Sequence, residues 1–244
     1  MPKILRYNTN KYNFHNIVSD IYGVKDLKSL HKLDLDLTDS KPLDQSNEAE
    51  TSFHKTFYNK LNSEWPELID SFEGFVKNQI SPLFRGSFLY QKTPTFRAHV
   101  PNQTAVSKWH FDSDPNHGHP DWEINIQISL TDMNKDNCMW IESIPGLGDY
   151  QPIQLEYGQY ALFDGNKCVH GNKRNTSDET RVSFDFRVIP CEMYNDEGEH
   201  IFTIIKTDEG KDKSKYGYVG KLNSPHSYYG KAWEVGGYYS ICEK

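Results

Sequence analysis

The sequence predicts a mainly β domain, a sandwich or barrel of short strands with helices ahead of it, and three observations carry that prediction. From about residue 86 to 190, short runs of apolar residues are separated by clusters of Gly, Pro, Asn and Asp, the spacing of all-β folds. Two of these runs alternate strictly between apolar and polar residues. Before them, from about residue 46 to 80, the apolar spacing changes to three and four, the period of a helix.

The helical part, about residues 1–85, contains two patterns in succession. Phe53, Phe57, Tyr58 and Leu61 make one apolar face, and Leu68, Phe72, Phe75, Val76 and Ile80 make the next. Asn47 with Glu50 has the spacing of a helix start, as does Ser63 ahead of Pro66 and Glu67, and Pro82 closes the second pattern.

In the β part, Trp122 to Thr131 sets Ile124, Ile126, Ile128 and Leu130 against Glu123, Asn125, Gln127 and Ser129. Arg181 to Val188 sets Val182, Phe184, Phe186 and Val188 against Arg181, Ser183, Asp185 and Arg187. Side chains alternate across a strand, so each run has one dry and one polar face. A polar face ordinarily meets solvent. In a jelly-roll enzyme it lines the ligand cavity instead, and Asn125, Gln127, Arg181 and Ser183 then point inward. After Pro190 the chain loosens into charged turns and a Tyr-rich stretch, read as an irregular extension of 191–244 that acts as a lid or as a homodimer contact. The whole of 1–244 reads as a single domain.

Composition narrows the function. The chain of 244 residues is 14% aromatic and 25% charged, with a formal net charge of −7. It is too aromatic to be disordered and has no broad positive field for a phosphate backbone, so nucleic acid is not an expected partner. No apolar run approaches the length of a secretory signal or a membrane span, which leads to the expectation of a cytoplasmic protein without a membrane partner. Cys138, Cys168, Cys191 and Cys242 form no C-x-x-C pair and read as free thiols; Cys168 is read as a small core residue.

The chemistry-bearing residues begin in W-H-F-D, where His110 and Asp112 lie two apart and share a face if the segment is extended. His170, in C-V-H-G-N, is far enough along the chain to return beside them. Two imidazoles and one carboxylate form the facial triad of non-haem Fe(II) oxygenases. A second H-x-D occurs at His119 and Asp121, but Pro120 cannot donate a strand hydrogen bond and Asp121 abuts the next strand with no turn between. His117 and His119 read as loop residues. Arg181 opens the strand that follows His170, and its planar guanidinium offers two parallel donors to a carboxylate, with the Ser183 hydroxyl on the same face. Arg187 lies far along that strand and Arg174 falls in a turn, which leaves Arg181 as the carboxylate clamp.

H-x-D, a distant His and R-x-S on the next strand resemble the Fe(II)/2-oxoglutarate-dependent oxygenase superfamily. E-I-N-I-Q-I-S-L-T-D, M-W-I-E-S-I-P-G-L-G-D-Y, H-G-N and T-R-V-S-F-D-F-R-V are most similar to the StrG-type oxygenases associated with streptomycin biosynthesis, over roughly residues 96 to 190. The resemblance implies a double-stranded β-helix, the cupin-like jelly-roll variant, with helices packed on its outer face. It further implies iron held by His110, Asp112 and His170, the distal carboxylate of 2-oxoglutarate held by Arg181 and Ser183, and molecular oxygen as the other co-substrate. Halogenating members of the superfamily replace the carboxylate ligand with a small residue, so Asp112 implies a dioxygenase that hydroxylates a C–H bond, with release of succinate and carbon dioxide. Arg97, His99, Asn125, Gln127 and Trp140 are the candidate substrate contacts, and their polarity suits a small hydrophilic metabolite. Two other readings stay open: a cupin-like metal enzyme that does not use 2-oxoglutarate, and a non-catalytic jelly-roll binding protein.

Overall fold

The computed structural model describes residues 1–33, 51–104, 109–114, 122–190, 200–205, 215–220 and 239–242. The chain opens with β1 (Lys3–Arg6) and α1 (Phe14–Tyr22), whose apolar side at Phe14 and Val18 is buried. Gly23 ends α1 in the left-handed conformation, φ 63°, which glycine adopts without a Cβ clash. A short 3-10 turn follows at Leu27–Lys32.

Both helical patterns form, with different ends from those the sequence suggests. Helix α2 (Ser52–Asn62) is capped by Thr51, whose hydroxyl accepts the His54 N–H at 3.3 Å; Asn47 and Glu50 lie outside the described residues. Ser63 ends α2 and does not start the next helix. Helix α3 (Pro66–Phe75) instead begins with Pro66 in its first turn, where a missing N–H costs nothing. It runs into a π turn at Val76–Ile80 and a 3-10 turn at Ser81–Leu83, which contains Pro82.

Eleven further strands follow among the described residues: β2 (Phe88–Gln91), β3 (Thr95–His99), β4 (Ile124–Ser129), β5 (Met139–Ile141), β6 (Gln151–Ile153), β7 (Gln159–Phe163), β8 (His170–Asn172), β9 (Arg181–Pro190), β10 (His200–Ile205), β11 (Lys215–Gly220) and β12 (Tyr239–Cys242). The main sheet has the order β1-β7-β4-β9-β2-β12, with β3 also paired to β9, and a smaller sheet has the order β6-β5-β8. Antiparallel bridges at His110–His170 and Met133–Leu155 extend the ladders beyond the named strands. A mainly antiparallel major sheet with a smaller second sheet and helices on one outer face is the double-stranded β-helix, or jelly roll, that the motifs imply.

The main sheet separates two environments. Val182, Phe184, Phe186 and Val188 of β9, with Ile126 and Ile128 of β4, join the aromatic core under the helices. Phe57 stacks on Phe96 at 4.6 Å between ring centroids, Phe72 meets Phe186 edge-on at 4.9 Å, and Phe14 meets Phe184 at 5.8 Å. Alternation then commits Asn125, Gln127, Arg181, Ser183, Asp185 and Arg187 to the opposite face. A second, smaller apolar cluster formed by Met133, Cys138, Met139, Ile141, Ile153, Leu155, Ala161, Phe163 and Cys168 joins the minor sheet to β7. Cys168 is therefore a core residue, as expected of a small free cysteine.

The segment after Pro190 departs from the irregular extension expected of it. Its described residues are strands: β10 and β11 pair antiparallel, and β12 pairs antiparallel with β2, so that the chain returns to the edge of the main sheet. The Gly and Lys interspersed among the tyrosines conceal this, because edge strands tolerate both. No helix among the described residues is long and apolar enough to cross a membrane.

Candidate metal centre

His110 is fixed by backbone pairing. Its N–H donates to the His170 carbonyl at 3.0 Å, and the His170 N–H donates back to His110 at 2.8 Å. A mutual pair of this kind aims both imidazoles to the same side, and their ring centroids are 4.7 Å apart. Two residues on, Asp112 enters a turn held by the turn after β7: the Asp112 N–H donates to the Gly165 carbonyl at 2.9 Å and the Ser113 N–H to the Asn166 carbonyl at 3.1 Å.

The three donor side chains meet. One nitrogen of each imidazole and one carboxylate oxygen all lie within 4.8 Å of one another. Asp112 Oδ1 is 3.4 Å from His110 Nε2 and 3.7 Å from His170 Nε2. His170 Nδ1 is 3.1 Å from the Cys168 carbonyl, a contact only an N–H can make favourably, so Nε2 is left with its lone pair toward the cluster. Burial, the largest influence, pushes the His170 pKa below that of an ordinary histidine and keeps the ring in the neutral form that ligates metals. Donor set, tautomer and burial fit a divalent transition metal such as iron, which these three side chains would hold. The competing His119–Asp121 pair, and His117, lie outside the described residues.

Arg181 opens β9 and is 2% exposed. Its Nη1 donates to Ser183 Oγ at 2.9 Å and its Nη2 to Asn172 Oδ1 at 2.9 Å. Asn172 lies two residues beyond His170 on β8, one strand repeat of roughly 6.6 Å along the same face. The guanidinium thus contacts a residue on the face of β8 that also carries His170.

The five candidate substrate contacts separate into three groups. Asn125 and Gln127 are buried on the polar face of β4, and Asn125 Nδ2 donates to Asp112 Oδ2 at 2.7 Å. Arg97 shares that face, opposite Ser183, and is ion-paired with Asp185, Nε to Oδ1 at 2.6 Å. His99 pairs across strands with Arg181 and is fully buried, with Nε2 2.8 Å from the Gln103 carbonyl and Nδ1 3.4 Å from Arg181 Nη2. It supports the guanidinium and is not placed to contact a substrate. Trp140 is not brought to the site. It pairs with Gly171 while its neighbour Ile141 pairs with His170, so alternation turns the indole to the other side of the small sheet, where Lys173 Nζ sits 3.3 Å from the ring centroid. Sequence reasoning also missed Asn172 and Arg187. H-G-N placed Asn172 two residues after a ligand, a signal that was available; Arg187 is 3.4 Å from Asp112 Oδ2, a contact only the fold reveals.

No protein-family model matches the chain. The chain is 32% identical over 190 residues to the streptomycin biosynthesis protein StrG of Streptomyces griseus, a match that spans 78% of this chain and 85% of StrG. The chain belongs to the StrG family. That is the group its motifs resemble. Solved structures with more distant likeness include CytC3 with Fe(II) and alpha-ketoglutarate, at 14% identity and TM-score 0.47, covering 80% of this chain and 77% of that one. EctD from S. alaskensis with 2-oxoglutarate and 5-hydroxyectoine matches at 10% identity and TM-score 0.44, over 79% of this chain and 73% of that one.

Proposed function

We propose that this protein is a non-haem Fe(II)/2-oxoglutarate-dependent dioxygenase that hydroxylates a C–H bond of a small polar metabolite. The observation that carries the reading is the convergence of His110, Asp112 and His170 within 4.8 Å, beside a buried arginine that is bonded to Asn172, two residues after His170. His110, Asp112 and His170 hold the iron. Arg181, with the Ser183 hydroxyl beside it, binds the distal carboxylate of 2-oxoglutarate, and Asn172 and His99 keep the guanidinium in place. When bound, the iron supplies oxygen activation coupled to conversion of 2-oxoglutarate to succinate and carbon dioxide.

The chain's own part is to orient the substrate and exclude water around the reacting carbon. Asn125 Oδ1 and Gln127 Oε1, on the polar face of β4, are buried acceptors without a hydrogen-bond partner among the described residues. Buried polar atoms are rarely left in that state. Hydroxyl or amino groups of a substrate satisfy them, which favours a polyol or amino-bearing metabolite over a lipid.

Anaerobic addition of Fe(II) and 2-oxoglutarate to the purified chain is expected to give a weak visible charge-transfer band that His110→Ala abolishes. Succinate release is expected to require Fe(II), oxygen and 2-oxoglutarate together. A band that survives His110→Ala refutes the assignment of the triad, and the absence of any 2-oxoglutarate requirement favours a cupin-like enzyme of other chemistry.

A further inference from the structure

Asp112 presents its two oxygens to two different surroundings. Oδ1 faces the two imidazole Nε2 atoms at 3.4 and 3.7 Å. Oδ2 points the other way: it accepts Asn125 Nδ2 at 2.7 Å and lies 3.4 Å from both Nε and Nη2 of Arg187. The donors on Oδ2 are themselves held. Arg187 Nε is 3.6 Å from Glu123 Oε2 and its Nη1 is 3.9 Å from Asp185 Oδ2. Asn125 is packed against Gly165, where a Cβ would come within 3.0 Å of Asn125 Cγ.

We infer that Arg187 and Asn125 are positioning residues that hold Asp112 as a one-oxygen metal ligand. This rests on the reading of His110, Asp112 and His170 as the iron site. A carboxylate whose second oxygen is free can turn about its Cβ–Cγ bond and chelate a metal through both oxygens. That would consume a coordination position needed for 2-oxoglutarate or oxygen. Here chelation has to pull Oδ2 away from an amide donor and a guanidinium in a site where Asp112 is 2% exposed and water cannot replace them. The same contacts limit the rotation of the unliganded side chain, so the triad is set before the metal arrives.

The test uses the full chain and Fe(II) itself. Arg187→Gln combined with Glu123→Gln removes the cation and a carboxylate it neutralises together, so net charge is kept. The expected result is roughly a 10–100-fold rise in the Fe(II) dissociation constant. The charge-transfer band with 2-oxoglutarate is expected to shift or weaken, with thermal stability of the metal-free protein little changed. Asn125→Ala is expected to act in the same direction. Arg187→Lys, which keeps a charge beside Oδ2, is expected to recover part of the affinity. Parent-like Fe(II) affinity and spectrum in the double variant and in Asn125→Ala overturn the inference, provided His110→Ala loses both. If His110→Ala also leaves both unchanged, the iron-site reading itself fails. Should the double variant not fold, Asn125→Ala decides alone: an unchanged affinity and band overturn the inference, and a loss supports it.

Discussion

Arg181→Gln is the substitution that most directly probes the co-substrate assignment. The guanidinium is 2% exposed and held by Ser183 Oγ and Asn172 Oδ1, each at 2.9 Å. Glutamine retains a donor for those partners but removes the charge that a dicarboxylate needs. Truncating one member of a buried, hydrogen-bonded charge pair costs about 2–5 kcal/mol. At 1.4 kcal/mol per tenfold, that is a roughly 30- to 4,000-fold rise in the 2-oxoglutarate dissociation constant. Arg181→Lys keeps the charge and loses the planar fork, about one charge-assisted hydrogen bond of 1.5–3 kcal/mol, or roughly 10- to 150-fold. Both are measured by anaerobic titration of 2-oxoglutarate into the Fe(II)-loaded chain, read at the charge-transfer band, with Fe(II) affinity as the control. A Gln variant within threefold of the parent, with Fe(II) still bound, refutes the clamp.

Three further outcomes follow from the same geometry. Gly165→Ala places a Cβ 2.7 Å from Phe163 Cε2 and 3.0 Å from Asn125 Cγ; overpacking of about 1–3 kcal/mol is expected, with weaker Fe(II) binding as the Asn125 amide is displaced, and parent-like melting and affinity would contradict it. Phe184→Ala, in the aromatic core with Phe14, Phe57 and Phe96, is expected to cost about 3–5 kcal/mol in chemical denaturation; a loss below 1 kcal/mol would mean that the helices do not depend on this face. Glu142 carries the pH prediction: burial raises its pKa, but N–H donors from Val169, Gly148 and Gly146 at 2.9 to 3.1 Å outweigh that and leave it below the ordinary 4.5. A carboxyl depressed on folding contributes stability above its unfolded pKa and loses it as pH falls through the folded value. Melting temperature should therefore fall as the pH drops below about 5, less steeply in Glu142→Gln; parallel slopes would exclude Glu142 as a source.

What the sequence made legible was local. The alternation of β4 and β9 is written in adjacent residues, and it told which side of each strand is dry. Which polar residues reach the metal depends on pairing between distant segments. Trp140 was misplaced because its facing is set by the Ile141–His170 register, which nothing in M-W-I reveals. Arg187 lies far from Arg181 along β9, yet it reaches Asp112 because Asp112 is anchored on the turn after β7, across β4 from β9. Strand β1 is too short to show a period of its own, whereas α1 does carry a helical stripe at Phe14, Ile17, Val18, Ile21 and Tyr22, a signal present in the sequence.

Strand β9 ties stability to chemistry in one segment. Its even-numbered positions from Val182 to Val188 are clamped by helix aromatics, and its odd-numbered positions supply Arg181, Ser183, Asp185 and Arg187. A slip of one residue would put three charged residues into an aromatic core and four apolar ones onto the polar face, so core packing enforces the register on which both the proposed carboxylate clamp and the Asp112 contact depend. A cavity under Phe184 should accordingly loosen the site before it unfolds the protein. In Phe184→Ala at a temperature where the chain remains folded, Fe(II) and 2-oxoglutarate affinities are expected to fall together, because Arg187 and Arg181 flank that position on the same strand. A change in one affinity without the other would show that the two ends of β9 are held independently.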